Sequence, residues 1–123
     1  MASSEQIVQQ YWQAAHRRDW AGFAALLDEN VVYEVPQTRE RIRGRDHYLD
    51  FNITYPGDWQ LRVDSVIGNA QQAVSRITFF VDGTSCEGIS FFTLQHGRIT
   101  HILDYWPEPY DPPYRHTAHI ERY

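Results

Sequence analysis

Apolar positions near the start of the chain recur at three and four residues. Ile7, Val8, Tyr11, Trp12, Ala14 and Ala15 form one stripe, and Ser4 stands ahead of them as a capping residue, so residues 4–17 are predicted to form a helix. Asp19 opens a second, shorter helix with Trp20, Phe23, Ala24, Leu26 and Leu27 on its face, and Asn30 is expected to end it. The period then changes. Residues 31–36 (VVYEVP) are β-branched and stop at Pro36, which predicts a strand. Residues 37–45 are polar with four Arg and read as a loop; Gly44 breaks the chain and Asp46 caps a third short helix. Four strands are predicted over 59–67, 72–81, 86–95 and 98–106. Gly68-Asn69, Asp82-Gly83 and His96-Gly97 supply the turns between them.

This order separates helices from a run of hairpin-linked strands, so the fold class is α+β. The expected architecture is a curved, mixed or antiparallel sheet wrapped around the long N-terminal helix and enclosing a conical cavity. The chain of 123 residues reads as one domain, 1–123. Its end, 107–123, has four prolines between 107 and 113, together with three Tyr and Ile120. It is expected to be extended and to pack on the domain or on a dimer partner.

Composition narrows the function classes. Aromatic residues make up 15% of the chain, a level that suits a lined pocket. All eleven basic residues are Arg, which excludes a Schiff-base Lys and a Walker-type phosphate loop. The net charge of −5 argues against nucleic acid as a partner. No apolar run approaches the ~18 residues a membrane span needs, and the opening MASSEQIVQQ has no secretory pattern. With a single cysteine, Cys86, a reducing, cytoplasmic location is expected.

The stretch YWQAAHRRDWAGFAALLDENVVYEVP, a Gly before a short helix, a Trp-led strand and the closing GRITHILDYW together resemble the nuclear transport factor 2-like superfamily, most closely its SnoaL-like group. The resemblance spans roughly residues 5–106 and implies the cone-shaped α+β barrel. Its members include ketosteroid isomerase, limonene epoxide hydrolase, scytalone dehydratase, polyketide cyclases and non-enzymatic binding domains, so the positions are read one by one. Of the groups the isomerase uses, its helix Tyr matches Tyr11, but its base falls on Val35 and its protonated Asp near Ser90. Of the epoxide hydrolase's Asp–Arg–Asp set, one Asp matches Asp104 and the Arg matches Arg76, while the other Asp falls on Thr78. Neither set is complete.

Strand alternation puts Ile102, Asp104 and Trp106 on one face of the last strand. If that face lines the cavity, Asp104 sits among aromatic groups and becomes a candidate acid or base. The expected catalytic residues are Asp104, Arg76 and Tyr11. Tyr33, Val35, Ile102 and Trp106 are expected to bind the ligand. The competing reading pairs Arg76 structurally with Asp104 or Glu87. His101 points away from Asp104, and His116 and His119 have no further ligand in sight, so neither a metal nor another cofactor is expected.

Two functions remain open on the sequence. One is a cofactor-free acid/base enzyme (cyclase, isomerase, dehydratase or hydrolase) acting on a small apolar oxygenated molecule. The other is a non-catalytic ligand-binding or dimerisation module. The sheet carries apolar residues on its second face too, with Ile77, Phe79 and Val81 opposing Thr78 and Phe80, and Leu103 and Tyr105 opposing Ile102 and Trp106, which predicts a homodimer through the outer face.

Overall fold

The computed structural model describes residues 2–123. Helix α1, Ser4–Arg17, buries the six residues of the predicted stripe. Ser3, not Ser4, caps it: the Ser3 hydroxyl accepts from the Gln6 amide, and the Gln6 side chain accepts from the Ser3 amide. Ser4 is displaced to another task. It is buried, and its hydroxyl donates to the Asn69 carbonyl at 2.5 Å, tying the helix start to the turn after β3. Helix α2, Trp20–Ala25, is capped by Asp19 as predicted.

Strand β1 spans Leu27–Val35, beginning four residues before the predicted 31, so Asn30 lies inside a strand and does not end a helix. The reason is packing. Leu27 and Val31 are both fully buried, Leu27 pairs with Ile99, and an irregularity before Val32 absorbs the polar residues between them. Strand β2, Glu40–Arg43, forms where a loop was expected. It pairs antiparallel with β1 (Tyr33 opposite Ile42) as an exposed edge strand, and an edge needs backbone pairing rather than apolar side chains. Helix α3, Arg45–Ile53, starts on Gly44, whose φ of 93° only glycine adopts readily; Asp46 lies inside its first turn.

Strands β3 (Gln60–Gly68), β4 (Gln72–Val81), β5 (Thr84–Gln95) and β6 (Arg98–Tyr105) follow the predicted segments closely. The sheet order is β2-β1-β6-β5-β4-β3; every neighbouring pair is antiparallel except β1 with β6. The sheet is curved and does not close, so the expected barrel is an open cone. Helix α1 packs against β3 and β4, and α3 against β1 and β2.

The inner face carries Ala73, Ser75 and Ile77 from β4, Ser90, Phe92 and Leu94 from β5, and Ile102 and Asp104 from β6, all buried. The outer face leaves Ile67, Val74, Phe80 and Phe91 exposed. After Trp106 the chain runs on without regular structure; residues 107–123 are exposed apart from the half-buried Pro112. No helix among the described residues is long and apolar enough to cross a membrane.

Phe92 is 1% exposed and meets the rings of Tyr11 and Trp12 edge-on, which joins the sheet to α1. Phe92→Ala is expected to cost about 3–5 kcal/mol of folding stability. Denaturant unfolding followed by circular dichroism measures it.

Candidate active site

The cone encloses a cavity of about 270 Å³ between α1, α3 and the inner face of the sheet. Its walls are mainly aromatic: Tyr11 and Trp12 from α1, Tyr48 and Phe51 from α3, Trp59 and Phe79 from the far side of the sheet, and Trp106 at the end of β6. Trp106 needs Gly88 opposite it. A Cβ at Gly88 would lie 2.6 Å from the indole, so glycine is what lets this ring close over β5. Trp59 is fixed from behind by Arg18, whose guanidinium lies 3.5 Å from the ring centroid and donates to the Trp59 carbonyl.

The polar end of the cavity is built around Asp104, which is 5% exposed. Its Oδ2 accepts from the Tyr33 hydroxyl at 2.6 Å and its Oδ1 from the Ser90 hydroxyl at 2.5 Å. The donors come from the two strands flanking β6, so one carboxylate joins β1, β6 and β5. No Arg or His forms an ion pair with it among the described residues. Burial therefore raises its pKa above the usual carboxylate value, and the two hydroxyl hydrogen bonds lower it by less.

Beside it the hydroxyls of Tyr11 and Tyr48 are hydrogen-bonded to each other. Counting hydrogens locates the free donor. Tyr33 and Ser90 each spend theirs on Asp104, and one of Tyr11 and Tyr48 spends its own on the other. The remaining phenol hydrogen has no partner among the described residues and is available to an acceptor in the cavity. Tyr11, Tyr33 and Tyr48 all have raised pKa values, mainly through burial and in part through the Asp104 charge, which keeps all three as neutral donors.

The predicted residues divide. Tyr11, Tyr33, Val35, Asp104 and Trp106 all line the cavity. Ile102 shares the face of Asp104 but is fully buried in the core and is not part of the cavity wall. Arg76 is placed outside: it lies between the inward Ser75 and Ile77, so alternation turns it to the outer face, where its side chain is 56% exposed and 3.6 Å from Glu87. It reaches neither the cavity nor Asp104, and of its two expected structural partners it takes Glu87. His101 also lies outside, 2.5 Å from Glu34, which bonds Arg41 as well. Those two hydrogen bonds, His101 first, lower the Glu34 pKa.

Tyr48 and Ser90 were not among the expected site residues. Tyr48 lies on a helix whose apolar face is short, but Tyr48, Phe51 and Tyr55 follow one another at helical spacing, and that spacing was the available signal. Ser90 could be found from alternation with Phe92 and Leu94. Trp12 and Trp59 are buried and also form cavity wall.

The three buried phenols set an alkaline limit. In the unfolded chain they ionise near pH ~10, while the folded chain holds their protons to higher pH. Above pH ~10 the unfolded state therefore binds fewer protons, and stability falls as pH rises. An ultraviolet pH titration should show Tyr11, Tyr33 and Tyr48 ionising only as circular dichroism reports loss of the fold. Ionisation of all eight tyrosines before unfolding would contradict this.

Residues 8–102 match the SnoaL-like domain family. A crystal structure from Kribbella flavida DSM 17836, provisionally named a ketosteroid isomerase, is 38% identical; the match covers 97% of this chain and 88% of that one, with a TM-score of 0.93. A limonene-epoxide-hydrolase-like epoxide hydrolase from Mycobacterium tuberculosis is 18% identical, covering 84% of this chain and 81% of that one at a TM-score of 0.71. A provisional polyketide cyclase from Pseudomonas putida is also 18% identical, covering 87% and 93% at 0.72. The last two likenesses are of fold alone. No curated protein matches the chain. On the extent of the domain match and the Kribbella likeness, the chain belongs to the SnoaL-like family within the nuclear transport factor 2-like fold.

Proposed function

We propose that the cavity is a cofactor-free acid/base site in which Asp104 moves a proton on a small, neutral, largely apolar molecule bearing a carbonyl or similar oxygen. The supporting observation is the buried Asp104 carboxylate, held by two hydroxyls and by no cation among the described residues, next to a phenol pair with one hydrogen to spare. Each Asp104 oxygen accepts one hydrogen bond and keeps a second lone pair. An anionic ligand is disfavoured, because the ionisable groups on the wall are the carboxyls of Glu40 and Asp104 and the phenols.

In the proposed step the ligand oxygen accepts the spare hydrogen of the Tyr11–Tyr48 pair. Asp104 takes the proton from the adjacent carbon. The C–H bond pair moves into the carbon–oxygen system, giving an enolate held by the phenol, and the new O–H is on Asp104. Return of that proton, to the same carbon or another, restores the carboxylate. Tyr11 is thus an electrostatic partner and Tyr33 a positioning residue; Val35 and Trp106 shape the apolar wall. Arg76 has no part in the step.

The binding-only reading draws on the same site: both Asp104 oxygens already have a hydrogen-bond partner, as in a finished structural network. We further propose a homodimer through the exposed apolar outer face, and a reducing, cytoplasmic setting for the exposed thiol of Cys86.

The two readings of the cavity separate without the natural substrate. In D2O, small cyclic ketones such as 1-indanone and 2-cyclohexenone are expected to exchange their α-hydrogens faster with the protein than without it. The rate should rise with pH through an Asp104 pKa above the ordinary carboxylate range. Asp104→Asn is expected to abolish the acceleration while ketone binding persists. Ketone binding with no acceleration in the unsubstituted protein would favour the binding module.

The stability of the same variant has a definite sign. A carboxyl whose folded pKa is raised contributes its full stability below the unfolded value of ~3.9 and loses it as pH rises through the folded value. Asn carries no such loss, and Tyr33 or Ser90 can turn to accept from its amide. The melting temperature of Asp104→Asn at pH 7 should therefore equal or exceed that of the parent, with the difference closing toward pH 4. A fall of ten degrees or so would instead mark Asp104 as a structural group.

A further inference from the structure

The C-terminal arm, residues 107–123, is bonded only to itself among the described residues. Its hydrogen bonds and ion pair run from Thr117 to Arg115, His119 to Thr117, and Arg122 to Asp111; its one aromatic contact is Tyr114 on His116. Tyr110 and Tyr114 are 80% and 83% exposed, and Ile120 is 48% exposed. An arm folded back over its own sheet would bury these groups together with Phe91 and Val74, and both of those are exposed. Solvated linkers carry few such side chains, whereas this segment combines Pro-set extension with large apolar groups.

The arm also recurs. The match to the Kribbella flavida crystal structure leaves only about 3% of this chain uncovered, so most of residues 107–123 follow a path that the other protein shares. A shared extended path that makes no hydrogen bond to its own domain among the described residues and leaves Tyr110, Tyr114 and Ile120 exposed implies an external support.

The sheet offers that support. Its outer face has a groove formed by Gln37, Ile89, Phe91, Tyr105 and Pro107, where the arm departs, and the apolar strip continues through Val74 to Ile67. Six strands at ~4.8 Å spacing span about 24 Å between edge-strand axes. Seventeen residues in polyproline-type extension reach about 50 Å. The arm is therefore long enough to leave its own domain and cross a facing sheet entirely.

We infer that the arm is an exchanged clasp: residues 107–123 of one copy lie across the outer sheet face of a second copy, with Tyr110, Tyr114 and Ile120 covering Phe91 and Val74 of that copy. The inference rests on the proposed outer-face homodimer and specifies what closes it. Exchange by two-fold symmetry buries both arms and both faces at once, which limits the assembly to two chains.

Light scattering across a dilution series, combined with trypsin cleavage at Arg115, tests this on the full chain. The expected mass is twice the 14.5 kDa of one chain at high concentration. The cleavage rate per chain at Arg115 should fall at least tenfold as the dimer forms. Tyr110→Ser/Tyr114→Ser/Ile120→Ser, all at exposed positions, should raise the dimer dissociation constant at least tenfold without altering the circular dichroism spectrum. A monomer at every concentration overturns the dimer and the clasp together. A dimer in which Arg115 stays equally cleavable, or which the triple substitution leaves intact, overturns the clasp alone.

Discussion

A carboxylate placed inside a protein with no cation beside it has to be held by dipoles, and Asp104 is held by two hydroxyls. That requirement fixes much around it. The Tyr33 hydroxyl has to arrive from β1 and the Ser90 hydroxyl from β5, so β6 must lie between these strands, parallel to one and antiparallel to the other. Tyr33 pairs with Ile102 in register, which puts its ring on the inner face two residues from Asp104. The sheet order, the face assignment of three strands and the polarity of the cavity floor therefore meet at one side chain.

The aromatic wall follows from the same placement. Their own burial first, and the Asp104 charge in addition, raise the pKa of the three phenols near it, so the tyrosines act as neutral donors rather than titrating groups at ordinary pH. Their rings meanwhile pack together: Tyr33 stacks on Tyr48 with centroids 4.6 Å apart, and Tyr11 meets Phe23 at a tilt at 4.7 Å. Packing thus fixes where each hydroxyl sits, and a cavity assembled from rigid rings holds its shape when empty better than one made of flexible aliphatic chains.

What could be read from the sequence was what periodicity controls. The stripe of α1 appears residue for residue, and so does the alternation of Ile102 and Asp104 in β6, because each repeats a single period over those residues. Strand β2 was hidden because an edge strand is held by its backbone, which leaves little trace in side chains such as Arg41 and Arg43. Arg76 was misplaced for a different reason: its match to the epoxide hydrolase's Arg points to a catalytic role, although it alternates with the inward Ser75 and Ile77 and so turns outward. Tyr48 was missed because its role lies in a hydrogen bond to Tyr11, 37 positions away, and no local pattern encodes that pairing.

The choice of hydroxyls over a guanidinium has a chemical consequence. An Arg–carboxylate pair holds one protonation state, since protonating the acid breaks the pair and leaves a buried cation uncompensated. Serine and tyrosine hydroxyls both donate and accept. When Asp104 is ionised, Tyr33 and Ser90 donate to it. When it carries a proton, that proton can be donated to either oxygen while the other hydroxyl continues to donate to the acid. Both contacts, 2.6 Å and 2.5 Å, are thus compatible with either state, and only hydrogens reorient. A carboxyl held in this way can gain and lose a proton without moving its heavy atoms or disturbing the three strands it joins. Having Arg76 on the far side of the sheet is what leaves that freedom in place.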